Sequence, residues 1–309
     1  MTQNIPLAIG LVLVGSFCFA MSAHLQHGAV DRHLGGNRRK DQMSFRSFLV
    51  AVRSRRWLLG LVLLGVSAVF QILALTLAPL TVVQPLGLLA FPWSVLLAAH
   101  ATRTWVPPRI QLAVAVTVVA TLAFTVVTGV HASASSDLVI RRVIIGALAV
   151  YAVVGLFSTL GAKGPHHWRS LFWSSGGALF YGLEASLVKS LIEYVRTHSW
   201  PYSPAIFGIV VALVVGAVAA GWLIQQGYAT GPAEVVVGSM TVTSPVVAVA
   251  FGILVLGEGA GITLDAAVWM VILGAIAVMG VVALARFHPS NHVQGPPEPG
   301  ATAASQLNL

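Results

Sequence analysis

Residues 78–92 read APLTVVQPLGLLAFP, and a degenerate copy, GPAEVVVGSMTVTSP, stands at residues 231–245. At a single offset of 153 residues, Pro79 falls on Pro232, Val82 and Val83 on Val235 and Val236, and Pro92 on Pro245. A second echo sets residues 15–27 (GSFCFAMSAHLQH) over residues 177–189 (GALFYGLEASLVK) at an offset of 162. The two offsets differ by an amount that one longer loop absorbs. Both pairs lie among apolar runs, so the sequence reads as a duplicated membrane protein.

Composition supports this class. The 309 residues are 57% hydrophobic and 8% charged, with a mean hydropathy of +0.88, whereas soluble domains carry about 25% charged residues. The net charge of +8 lies mostly between the apolar runs, which fits topogenic charge and anionic lipid better than nucleic acid. The lone Cys18 has no partner for an intrachain disulfide. Residues 1–4 contain no Lys or Arg, so the first apolar run is expected to be a retained helix and not a cleaved signal.

A helix needs about 20 apolar residues to cross the hydrocarbon core. That rule places about nine crossings, over residues 5–27, 57–77, 80–101, 110–130, 138–161, 171–192, 205–225, 233–256 and 263–286. The fold class expected is therefore an all-α membrane protein, its halves (5–131 and 170–287) joined by a linking helix at 138–161. Placing the N-terminus outside puts thirteen Lys and Arg on the inside and three outside, which fixes a cytoplasmic C-terminus. With an odd number of crossings, the first and sixth helices run oppositely. That is an inverted-topology repeat, four helices plus a linker plus four, and such repeats bind their cargo near the midplane. The basic segment Gly28 to Arg56 contains SFRSFLVAV at residues 44–52, either an interfacial helix on anionic lipid or the remnant of a further crossing. The tail at 288–309 is rich in Pro, Gly, Ala and Ser and is expected to be a disordered cytoplasmic extension.

Several residues inside crossings carry possible chemistry. Pro85, Pro92 and Pro245 each remove one helical amide bond, which makes them candidate hinges, with Thr241 and Thr243 beside Pro245 available to heal or line the break. Glu184 lies mid-crossing, where an acid costs about 3 kcal/mol and therefore faces the interior with a partner or a function. It is expected to face a wet crevice between the halves. Ser22 aligns opposite it, and His24 and His27 are the nearest candidate partners for a proton or cation. Tyr181 and Gln84 are further polar positions able to line a path. Lys189 is expected to snorkel to headgroups with Glu193 as its mate. Glu258 reads as structural. No phosphate-binding loop, HExxH or potassium-filter motif is present, and no enzyme activity, cofactor or metal site is expected.

The run from Ile72 to Pro85, the following Pro92, the segment from Gly227 to Pro245, and Leu256-Gly-Glu258 resemble the drug/metabolite transporter superfamily, in its EamA-like or NIPA-like branches. The likeness spans about residues 5–287. It implies alternating-access transport of a small molecule or ion, and leaves the cargo open. A secondary transporter of a small metabolite or organic solute, with Glu184 as the group able to couple it to protons, is one reading. The alternatives are a NIPA-like magnesium transporter, or a non-transporting membrane partner or lipid-handling protein that acts through Arg38, Arg39 and Lys40. A homodimer is compatible with each.

Overall fold

The computed structural model describes residues 4–33, 54–103, 105–131, 138–197, 203–230 and 233–286. Among these, ten α-helices and two 3-10 turns appear and no strand. They are α1 (Ile5–His33), α2 (Arg55–Leu77), α3 (Leu80–Leu86), a 3-10 turn (Gly87–Leu89), α4 (Ala90–Thr102), α5 (Pro108–His131) and α6 (Ile140–Lys163). A 3-10 turn (His166–Trp168), α7 (Arg169–Thr197), α8 (Pro204–Thr230), α9 (Ala233–Leu254) and α10 (Leu264–Arg286) follow. The segment at residues 44–52, the cluster of Arg38, Arg39 and Lys40, Pro232, the His27 side chain and the tail lie outside the described residues.

Seven helical spans are long and apolar enough to cross a bilayer, with α3, its 3-10 turn and α4 counting as one. This is the make-up of a multi-pass membrane protein. Two of the nine expected crossings, α7 and α9, fall short of that mark. α9 offers a shorter apolar stretch, Gly238–Leu254, and α7 carries Glu184, Lys189, Glu193 and Arg196 among serines and glycines.

The reason lies in packing. α7 is enclosed by α6, α8 and α9 and touches α2 and α3, so half its length is buried against protein, including Ser174, Ser186, Lys189 and Ser190. A helix shielded from lipid by its neighbours has no need to be apolar. Because lipid tails are as apolar as leucine, helices in a bilayer are held by close packing and hydrogen bonds and not by burial alone. Both devices appear here. The Ser175 and Ser239 hydroxyls meet at 2.6 Å between α7 and α9, and Ser170 donates to the Gly227 carbonyl of α8 at 3.0 Å. A Cβ on Gly182 would stand 2.5 Å from the Ser244 carbonyl oxygen and 2.7 Å from Val247, so α9 lies directly on the α7 backbone there.

α1 packs along α2 and against α4, while α5 pairs with α10. All seven residues of α3 are buried. Leu80, Val82, Val83 and Leu86 join Leu183 and Leu187 of α7, Phe251 of α9 and Val12 of α1 in the largest core cluster. The stretch singled out by the sequence is thus the centre of the molecule.

Candidate functional site

The chain breaks at Ala78 and Pro79, both in extended backbone conformation, so a helix C-terminus and a helix N-terminus face each other inside the protein. Each end leaves four backbone groups without an intrahelical partner. Here they are all accounted for. At the end of α2, the Ala74 carbonyl accepts from the Ala78 amide at 2.9 Å, and the Leu77 carbonyl from the Asn4 amide at 3.1 Å. The Leu75 carbonyl accepts from Lys189 Nζ at 2.7 Å and the Thr76 carbonyl from Arg196 at 3.4 Å. Lys189 also reaches the Ala78 carbonyl at 3.1 Å. At the start of α3, Glu258 accepts from the Leu80 amide (2.7 Å) and the Thr81 amide (2.9 Å), one on each carboxylate oxygen. The Pro79 carbonyl takes the Val82 and Val83 amides, both at 3.2 Å.

The charges match the helix dipoles: a cation at the C-terminal end, an anion at the N-terminal end. Gly257, in the left-handed region at φ 73°, turns the chain so that Glu258, itself completely buried, points inward. Gly252 makes room for it, since a Cβ there would lie 2.7 Å from Glu258 Oε2. Burial lifts the Glu258 carboxyl above the usual carboxylate range, opposed by the amide donors of Thr81 and Leu80 and by Lys189. Lys189 is 3% exposed and paired with Glu193 at 2.9 Å. The expected snorkelling is therefore corrected: the end of α2 and the break after it present bare carbonyls, Leu75 and Ala78, on the inside, and these hold the ammonium.

Beside this junction lies a cavity of about 700 Å³. Its walls are α3 and the 3-10 turn (Pro85, Leu88), α5 (Thr121, Phe124), α9 from Pro245 onward, the loop after α9, and residues 267–278 of α10. Two of the three candidate hinge prolines, from opposite halves of the chain, thus share one wall-to-wall space. Among the described residues, Thr121 is the one polar side chain on the lining, which includes no carboxylate, amine, guanidinium or imidazole. The crevice expected to be wet is apolar.

Glu184 is not on that lining. It stands two helical turns beyond Gly177, whose backbone abuts Ile224 of α8, and so lies on the face of α7 turned toward α8. There it is half-buried with Oε1 unpartnered, and it is close enough to Tyr151 of α6 for its charge to act on that phenol. The Tyr151 hydroxyl itself donates to the Ala212 carbonyl at 2.6 Å, and its ring sits edge-on to Phe180 at 4.8 Å. Ser22 is committed to the Gly60 carbonyl at 2.7 Å, joining α1 to α2 and not facing Glu184. His24 is half-buried on α1, whose principal neighbours are α2 and α4. Gln84 is buried with Nε2 unpartnered, Pro92 is buried, and Tyr181, Thr241 and Thr243 are half-buried within their helices. The structure thus gathers Pro85 and Pro245 and leaves the acid and the histidine apart. Among the described residues no three His, Cys, Asp or Glu side chains lie together as a metal site.

Compared with known proteins, the chain matches no family model, no curated protein and no solved structure.

Proposed function

We propose that the chain is a secondary transporter that carries a small organic solute across a membrane by alternating access. In this reading its two halves are related as an inverted repeat, with the N-terminus outside and the basic segment on the cytoplasmic leaflet. The observation that carries it is the shared cavity: a proline inside a helix marks a site of bending, and Pro85 and Pro245 meet across one space between the halves. Similar packing adds support, since α1 lies along α2 as α7 lies along α8. The likeness to drug/metabolite transporters points the same way.

The coupling role suggested for Glu184 draws no support from the cavity, and the transport reading is carried without it. The magnesium alternative is not favoured either, because a divalent cation takes several oxygen ligands and the cavity wall offers one hydroxyl. The partner-binding alternative rests on residues outside the described set.

Purified protein in liposomes should give saturable flux of at least one member of a panel of neutral, anionic and cationic organic solutes. Pro85→Ala with Pro245→Ala should slow that flux by roughly tenfold while leaving the helical content unchanged. Absence of saturable flux across the panel from a folded preparation would remove the proposal.

A further inference from the structure

α4 and α5 follow each other in the chain across a loop of five residues, 103–107, yet they barely touch. α4 leans on α1, and α5 pairs with α10. The slot left between them holds about 410 Å³ and is lined by Leu96 of α4, Trp105 and Val106 of the loop, and Gln111, Val114 and Ala115 of α5. The amide nitrogen of Gln111 is turned to the Val106 carbonyl at 2.8 Å, so the rest of the slot is apolar. It opens outward: Leu96 is 42% and Trp105 91% exposed.

The loop end of this slot is charged. Arg103 caps the end of α4 and Arg109 stands in the first turn of α5, both exposed. Each arginine occupies a position that its backbone disfavours. Arg103 has φ 52°, the one non-glycine residue with positive φ among those described, where a Cβ is strained and glycine is the usual cap. Arg109 puts a cation at the positive end of a helix dipole, where an anion is favoured. The ion pairs among the described residues join Glu193 to Lys189 and Arg196, so neither guanidinium has an acidic partner there. An anion held between the two offsets both costs.

Val114 and Ala115 lie five and six residues past Arg109, and Leu96 seven before Arg103. At 1.5 Å per residue the apolar walls stand about 8–10 Å below the charges along the helix axes. A ligand that fits carries an anion at one end and hydrocarbon at that depth. Trp105 marks the level between, since exposed indoles collect where headgroups meet acyl chains. Free phosphate lacks the chain, and phosphatidylcholine carries its own cation beside the phosphate.

We propose that the slot between α4 and α5 is a docking site for an anionic glycerophospholipid, with its phosphate between Arg103 and Arg109 and one acyl chain against Leu96, Val114 and Ala115. The site is separate from the cavity at Pro85 and Pro245, and it stands whether or not the chain carries a solute.

The test uses the full-length protein in maltoside micelles with three probes: dioleoylphosphatidylglycerol, dioleoylphosphatidylcholine with the same chains, and glycerol 3-phosphate, which has the anion and no chain. Binding is read at the site, as the concentration dependence of hydrogen-exchange protection over residues 103–111. Phosphatidylglycerol is expected to bind about twenty-five-fold more tightly than phosphatidylcholine, roughly fivefold for each arginine beside an anionic lipid, and glycerol 3-phosphate to give no protection. Arg103→Gly should lower the affinity for phosphatidylglycerol about fivefold without lowering the Tm of the lipid-free protein, because glycine suits the left-handed backbone. A merely structural arginine cannot give that pair of results. Arg109→Gln should lower the same affinity about fivefold, and Val114→Trp, which fills the slot, should abolish protection by both phospholipids. A control pair in the first turn of α6, Arg141→Gln with Arg142→Gln, should leave protection over 103–111 unchanged. Equal affinity for the two phospholipids, protection by glycerol 3-phosphate, undiminished binding to Arg103→Gly or Val114→Trp, or an equal loss in the control pair would overturn the proposal.

Discussion

Replacing Glu258 by alanine should destabilise the protein more than any other single truncation in the loop between α9 and α10. The carboxylate accepts the amides of Leu80 and Thr81, at 2.7 and 2.9 Å, in a place with no exposure. Removing it strands two buried donors, each at about 1–3 kcal/mol, so the expected loss is roughly 2–6 kcal/mol. Glu258→Gln keeps one acceptor oxygen and turns an amide nitrogen toward the second donor, so about half of that loss is expected. The assay is thermal unfolding in detergent, with hydrogen exchange followed by mass spectrometry over residues 78–86. Both variants should raise exchange in α3 selectively, because the helix loses the fixed start that holds its first turn. Stability of Glu258→Ala within about 0.5 kcal/mol of the parent, the scatter of ordinary surface substitutions, would refute the claim that this carboxylate closes the helix break.

Two further outcomes follow from the same junction. Lys189→Met should cost about 3–5 kcal/mol, the range for removing one partner of a buried ion pair, because Glu193 and the carbonyls of Leu75 and Ala78 lose their donor; a denaturation midpoint equal to that of the parent would contradict it. The pH profile of stability should also carry the mark of Glu258. Its carboxyl is raised by burial above the ordinary 4.5, so the folded chain holds that proton more tightly than the unfolded one. Stability therefore falls as pH rises from 4.5 through the raised value, and Glu258→Gln should flatten the slope. A parent whose Tm climbs relative to Glu258→Gln over that interval would show the amide donors outweighing burial.

Much of the helical framework was legible because crossing length is a composition signal: α2 ends at Leu77, where the sequence reading ended its helix. The break at Ala78 and Pro79 was legible as well, since proline cannot continue a helical hydrogen-bond ladder. What the sequence concealed were partners far away along the chain. Nothing local says that Glu258 caps an amide 178 positions earlier. Lys189 was misread because a lysine near a helix end usually extends to the surface, and only the neighbouring helix ends show that carbonyls wait for it inside. Glu184 is half-buried, and the face it occupies depends on which helices surround α7.

The three side chains that close the break between α2 and α3, Lys189, Arg196 and Glu258, all come from the C-terminal part of the chain. A nascent polypeptide that has made only α1 through α5 therefore carries a raw pair of helix ends at its core, with amides and carbonyls that lipid cannot satisfy. Completion of the first half must await synthesis of the second, which makes the order of translation the reverse of the order of consolidation. Insertion machinery would have to shelter that joint until α7 and the turn after α9 arrive, and the two halves would mature as one unit.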